Sequence, residues 1–390
     1  MEYPSWLEPL LERFARAEEE IYLVGGCVRD FLLGNTPHDF DLTTSALPQQ
    51  TARICEGYRV IETGIRHGTV TVIAQGHPVE ITTFRIDGTY SDARRPDSVR
   101  FTRCLADDLS RRDVTVNAMA YHPSCGVVDL FGGREDLQNR CIRTVGDPCL
   151  RFDEDALRIL RAFRFAARLG FTIHPKTLEG AAVKGDKLAL IAKERIASEF
   201  FGLLLAPDPA PSLRLMAEHG ILSRITDGIL PSEQGLTLLS QAPANTDARL
   251  GLLFADEEED TLRTLLRRLK CSNRCISGAL AVRRGASLSV HSPKDIGRFR
   301  AATGEYAADG LAVSILRGRS PQQAERWLRE SRAPHCIADL AVTGKDLMAL
   351  GCSGKEIGQI LTELLDTVLE HPEQNQKEVL LALARAARNK

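Results

Sequence analysis

The 390-residue chain predicts an α+β domain over roughly its first 140 residues, followed by an all-helical remainder. Three observations carry this. Short β-branched runs alternate with helical spacing up to residue 140, those runs fade after Asp153, and Pro/Gly clusters then punctuate one helical pattern after another. Helices are expected over 4–17, 27–33, 48–56 and 113–121, and strands over 21–24, 39–43, 68–74 and 78–84, with another near 127–131. The runs 68–74 and 78–84, joined by Gln75-Gly76-His77, read as a hairpin in a small mixed or antiparallel sheet. From 153 to 169, Phe152, Ala156, Leu157, Leu160, Phe163 and Ala167 recur at the spacing of one helix, and Gly170 supplies its stop. Length asks for more than one core.

Composition is that of a globular chain, 43% hydrophobic and 26% charged. No run approaches the roughly 18 apolar residues that span a bilayer, so no membrane partner is expected. The start, Met-Glu-Tyr-Pro-Ser-Trp, lacks the basic and apolar regions of a signal peptide. Ten scattered cysteines read as reduced, small hydrophobes in a cytoplasmic protein. A net charge of −2 requires any nucleic-acid partner to meet a local basic lane, for which Arg267-Arg268-Leu-Lys270 and Arg283-Arg284 are candidates.

The stretch Tyr22 to Ala46, "YLVGGCVRDFLLGNTPHDFDLTTSA", carries the chemistry. On a strand, Asp39 and Asp41 would share a face, and two ionised carboxylates so close require a cation between them. Hard oxygen ligands of this kind select Mg²⁺, which shares itself with substrate phosphates. Gly25-Gly26 ends one strand and opens a helix, so backbone N–H groups can approach a phosphate and Arg29 can hold one of its oxygens. Each half alone is a common turn or surface feature; together, on adjacent strands, they point to a bound nucleoside triphosphate.

"GGCVRDFLLG" followed by "DFD" resembles the first motif of class II tRNA nucleotidyltransferases and the related bacterial poly(A) polymerases, in the polymerase-β-like nucleotidyltransferase superfamily. The resemblance continues through "TGIRHGTVTV", "RRDVTVNAMA", "DLFGGREDL", "EDALRILRAFRFAARLGF" and "KERIASEF", in order over about 205 residues. It implies a nucleotidyltransferase head over 1–140, a neck that recognises the base over 141–205, a body over 206–335 and a tRNA-binding tail over 336–390. It also implies that Asp39 and Asp41 carry catalytic Mg²⁺ and that Gly26, Arg29 and Arg112 meet the triphosphate and ribose. Taken alone, Arg111-Arg112-Asp113 is an ordinary helix start.

By the same resemblance Asp155 and Arg158 read the incoming base, with Arg161 and Arg164 bracing that pair or the phosphates. Their spacing traces a polar stripe along a helix whose other side is apolar, and a buried arginine row requires anionic partners. Cytosine and adenine both present an amino donor beside a ring-nitrogen acceptor, which suits one aspartate and one arginine. Uracil and guanine invert the pattern and would leave buried groups unpaired, at about 1–3 kcal/mol each. The resemblance therefore implies addition of CCA to tRNA 3′ ends from CTP and ATP without a nucleic-acid template. A poly(A) polymerase, or an enzyme adding only CC or only A, is the alternative. The polar segment 85–101 reads as a surface loop, and it resembles the flexible loop of enzymes that add the terminal A. In the tail, Thr343 with Asp346 makes a helix start, and Gly351-Cys-Ser-Gly354 a tight turn between helices. The oligomeric state stays open, a homodimer included.

Overall fold

The computed structural model describes residues 3–37, 39–88 and 99–388, in two compact units divided between Ile229 and Leu230. The first begins with α1 (Glu8–Arg16), β1 (Ile21–Val24), α2 (Gly26–Leu32), β2 (Asp41–Thr44), α3 (Pro48–Ile54), β3 (Arg59–Ile61), β4 (Thr69–Ala74) and β5 (His77–Thr83). It continues through β6 (Arg85–Asp87), β7 (Val99–Phe101), α4 (Leu105–Ser110), β8 (Met119–His122), β9 (Gly126–Asp129) and α5 (Gly133–Gln138). Then come β10 (Cys141–Ile142), α6 (Pro148–Glu154), α7 (Leu157–Leu169), β11 (Thr172–Ile173), α8 (Pro175–Lys184), α9 (Lys193–Leu204), α10 (Ala210–Glu218) and α11 (Ile221–Ile225).

One seven-stranded sheet, ordered β3-β4-β5-β2-β1-β8-β9, organises the first part of this unit. Its pairs are antiparallel except for β2 beside β5, which is parallel. Along β4, Val70, Val72 and Ala74 are buried while their neighbours are partly exposed, the alternation expected of a half-buried strand. The predicted hairpin is β4–β5, turning at Gln75 and Gly76, both at positive φ. Strands 21–24, 68–74 and 78–84 and helices 4–17, 27–33 and 48–56 lie where the sequence puts them, within a few residues at their ends.

Three expectations differ. The helix over 113–121 is a single 3-10 turn, Thr115–Asn117, that runs into β8. Met119 to Tyr121 pair between β1 and β9 and are buried there, so sheet pairing overrides helical propensity. The helix from 153 is broken at Asp155, whose φ of −143° and ψ of 104° are extended; its carboxylate instead accepts from the Leu157 N–H and starts α7. Finally, β2 begins at Asp41, so Asp39 precedes the strand. The segment read as a loop over 85–101 is anchored by the antiparallel pair β6–β7, and its residues 89–98 lie outside the described residues.

The second unit is helical: α12 (Glu233–Leu238), α13 (Thr246–Leu253), α14 (Glu259–Arg268), α15 (Asn273–Ser287), α16 (Asp295–Thr303), α17 (Ala307–Leu316), α18 (Ala324–Glu330), α19 (Gly344–Ala349), α20 (Lys355–Glu370) and α21 (Lys377–Arg388). The capping box of Thr343 and Asp346 opens α19, and Gly351 to Gly354 turns the chain into α20. Lys377 and the Thr343 groups bonded to Asp346 hold its carboxyl down to about 2.

Candidate active site

Sheet order sets the acidic side of the site. Asp41 opens β2, opposite Val24 at the end of β1 and level with Glu80 on β5. Burial, then Glu80, push the Asp41 carboxyl above its ordinary value; Arg112 opposes them and Asp39 adds to them. Asp39 itself is exposed at the rim of the same cleft. Asp41, with Asp39 near it and Glu80 level with it on β5, offers the oxygen donors that favour a hard divalent cation, so these residues fit the Mg²⁺ implied by the sequence.

Opposite stands the basic side. Gly25 adopts φ 76° and ψ −131°, a conformation open to glycine, and a Cβ there would sit 3.2 Å from the Arg112 Nη1. Arg29 is 5% exposed; its Nη1 donates to Asn117 Oδ1 at 2.6 Å and its Nε to Asp30 Oδ1 at 2.8 Å. Behind Arg112 lies Asp108, fully buried, which accepts from the Nε and Nη2 of Arg111 at 3.0 and 2.8 Å and from the Nη2 of Arg112 at 3.4 Å. Burial alone would raise the Asp108 carboxyl; Arg111 and Arg112 outweigh it and hold it low.

The third wall is the α6–α7 junction. Asp155 Oδ2 accepts from Arg195 at 3.0 Å, while Arg158, 8% exposed, donates to Glu154 at 2.5 Å and to the Arg111 carbonyl at 2.8 Å. The anionic partners demanded by the arginine row are therefore protein carboxylates. Arg161 pairs with Asp113 at 2.6 Å and Arg164 with Glu199 at 2.5 Å. Asp113, buried, is kept below the usual carboxylate range because Arg161 overcomes its desolvation. It caps no helix: its Oδ1 takes the Val114 N–H. The guanidinium groups of Arg29, Arg161 and Arg164 lie 5.8, 5.3 and 4.4 Å from the ring centroid of Phe165.

These walls enclose one cleft of about 550 Å³, lined by eight arginines against five aspartates. Gly26, Arg29, Asp39, Asp41, Arg112, Asp155, Arg158, Arg161 and Arg164 all line it. Asn117, Arg168 and Arg195 line it too, and sequence reasoning missed them, together with Glu80 and Asp108 beside it. The signal for Glu80 was present in its strand, but only the β2–β5 register brings it to Asp41.

Residues 21–143 match the family model described as "Poly A polymerase head domain", residues 170–230 that described as "Probable RNA and SrmB- binding site of polymerase A", and residues 245–384 a domain 2 model of tRNA nucleotidyltransferases. A CCA-adding enzyme of Limosilactobacillus fermentum is 38% identical, over 96% of this chain and 95% of its own. One of Enterococcus faecalis is 36% identical, over 98% and 96%. The chain belongs to the CCA-adding enzyme family, and it is a nucleotidyltransferase. The crystal structure of the Bacillus stearothermophilus CCA-adding enzyme in complex with CTP superposes with a TM-score of 0.81 at 32% identity, covering 99% of each chain. The head-plus-helices architecture is thus that of the CCA-adding enzyme family along its whole length. Among the described residues no helix is long and apolar enough to cross a membrane.

Proposed function

We propose that this protein adds C, C and A in turn to the 3′ end of tRNA, taking CTP and ATP and releasing pyrophosphate, in the cytoplasm. The observation that carries the reading is the convergence of residues from five separate stretches of sequence on one basic cleft with a carboxylate cluster at its side. In this reading the head spans 1–140, the neck 141–205, the body 206–335 and the tail 336–390.

The triphosphate lies along the Gly25-Gly26 turn, with Arg29 and Arg112 on its non-bridging oxygens and the ribose beside Arg112. Asp39 and Asp41, with Glu80 behind Asp41, would hold Mg²⁺. When bound, that ion supplies positive charge to the attacking hydroxyl and to the leaving phosphates. The tRNA 3′-hydroxyl attacks the α-phosphorus in line, the new P–O bond forming as the bond to pyrophosphate breaks. The base meets Asp155 and Arg158. Arg195 and the Leu157 N–H each occupy one lone pair of the Asp155 carboxylate, so a second remains on each oxygen for an amino group of cytosine or adenine. Arg161 and Arg164, tied to Asp113 and Glu199, brace this wall.

The test uses tRNA ending at the discriminator base, Mg²⁺, and CTP and ATP singly and together, with products resolved to the nucleotide. Two additions with CTP alone and three with both are expected. A long ladder with ATP alone would make the enzyme a poly(A) polymerase, and a stop after two additions with both nucleotides would make it a CC-adding one.

A further inference from the structure

The first unit buries a carboxylate that the proposed reaction does not use. Asp108 on α4 is 0% exposed, and burying an ionised group is costly unless its partners are well placed. Its two oxygens divide their partners. The Oδ1 takes the Nε and Nη2 donors of Arg111. The Oδ2 accepts from Arg112 at 3.4 Å and from the Thr43 hydroxyl at 3.2 Å. Thr43 stands two residues after Asp41 on β2, on the same face of the strand, and is itself 0% exposed. The Thr43 hydroxyl also reaches the Thr82 carbonyl on β5 at 3.0 Å, which fixes it in the sheet.

Arg112 is otherwise sparingly held. Its Nε is buried and has no hydrogen-bond partner among the described residues, while its Nη1 passes over Gly25, where any side chain would press on it. A guanidinium with one long ion pair behind it and open cleft before it is aimed rather than satisfied.

We propose that Asp108 is a positioning residue: through its Oδ2 it fixes the Arg112 guanidinium against the strand that carries Asp41, so that phosphate-holding and carboxylate-bearing parts of the site keep one register. This rests on the reading of Arg112 as a ligand of the nucleotide. Asp108 does not line the cleft; its Oδ2 acts through Arg112, while its Oδ1 holds Arg111. Loss of its charge therefore weakens nucleotide binding irrespective of the base.

The experiment is a double-mutant cycle in the full-length protein, read as CTP and ATP affinity without tRNA, as KM and kcat with it, and as thermal stability. Asp108→Asn keeps the shape and the Thr43 contact but removes the charge. It should weaken CTP and ATP equally, by roughly tenfold or more, the scale of a charge-assisted hydrogen bond. Turnover at saturating nucleotide should stay within a few-fold. Combining it with Arg112→Ala should leave affinity within about twofold of Arg112→Ala alone, because the two act as a unit. Unchanged affinity in Asp108→Asn, or losses that multiply in the double variant, would overturn the proposal while leaving the Arg112 assignment standing. Wild-type affinity in Arg112→Ala would instead overturn that assignment and the proposal with it. Should Asp108→Asn fail to fold, Thr43→Val keeps both charges and removes the hydroxyl that ties Asp108 to β2, together with its bond to the Thr82 carbonyl. A few-fold loss for both nucleotides supports the proposal, and unchanged affinity sinks it.

Discussion

Asp41 illustrates how one carboxylate serves chemistry at the expense of the fold. Desolvation, Glu80 and Asp39 raise its proton affinity in the folded state, with Arg112 only partly opposing them. A carboxyl whose folded pKa lies above its unfolded value contributes stability when protonated and loses it as pH climbs through and beyond the ordinary carboxylate range. With a chelator present, Asp41→Asn should therefore melt higher than the wild type at pH 7, and the difference should close on acidification below about pH 4. Divalent cation should return the wild type, not the variant, to higher stability. Equal melting temperatures at pH 7 would remove the repulsion argument. In the same variant, turnover should fall by more than the roughly 10–100-fold that loss of an outer partner costs at metal sites; wild-type rates would dismiss Asp41 as a metal ligand. At this scale the sequence made legible those residues whose chemistry is local: a Gly-Gly turn, an Asp-x-Asp, an arginine row. Glu80, Asn117 and Arg195 were not legible, because their partners lie 39, 88 and 40 residues away and only the fold pairs them; Asp108 lies within four residues of Arg111 and Arg112, but its burial and its contact with Thr43, 65 residues away, come only from the fold.

Turns and junctions decide how the elements aim those residues. The β1–α2 turn needs Gly25 twice over, for its left-handed φ and for the Arg112 guanidinium above it. Gly25→Ala should cost about 1–3 kcal/mol of stability in urea denaturation from backbone strain alone. It should also weaken CTP binding, because the new methyl pushes Arg112 aside; a variant that is destabilised yet binds CTP normally would separate the turn from the site. The α6–α7 junction works differently. A single continuous helix would have carried Asp155 on the stripe with Arg158. The extended Asp155 instead turns its carboxylate to the Leu157 N–H and to Arg195. Periodicity could not reveal that break, since Asp155 fits both a helical stripe and a cap. The same limit explains residues 113–121, whose apolar spacing suits a helix until β1 and β9 take up the backbone of Met119 to Tyr121. Elements with a strict period and clear punctuation, such as β4–β5, were read correctly because a tight turn pairs them with each other, and the distant strand β2 only adds to the other edge of β5.

For the molecule as a whole the sequence is nearly neutral, so attraction for a polyanion must be local. The two basic clusters proposed as a lane for tRNA differ in structure. Arg283 donates through Nε to the Glu257 carbonyl at 2.8 Å, and Arg284 to the Ala302 carbonyl at 2.8 Å and to Glu259 at 2.9 Å, so both are committed to the fold of the second unit. Arg267, Arg268 and Lys270, at and just beyond the end of α14, are exposed. Phosphate contacts release counterions, and each one lost should lower the slope of log affinity against log salt by about one. Arg267→Ala combined with Lys270→Ala is therefore expected to flatten the salt dependence of tRNA binding by about two while leaving CTP affinity unchanged. Arg284→Ala should lower the melting temperature and leave that slope alone. If instead the Arg267/Lys270 variant keeps the wild-type slope and Arg284→Ala flattens it, exposure is the wrong guide to the lane, and the tRNA backbone must displace the internal partners of Arg284 to bind.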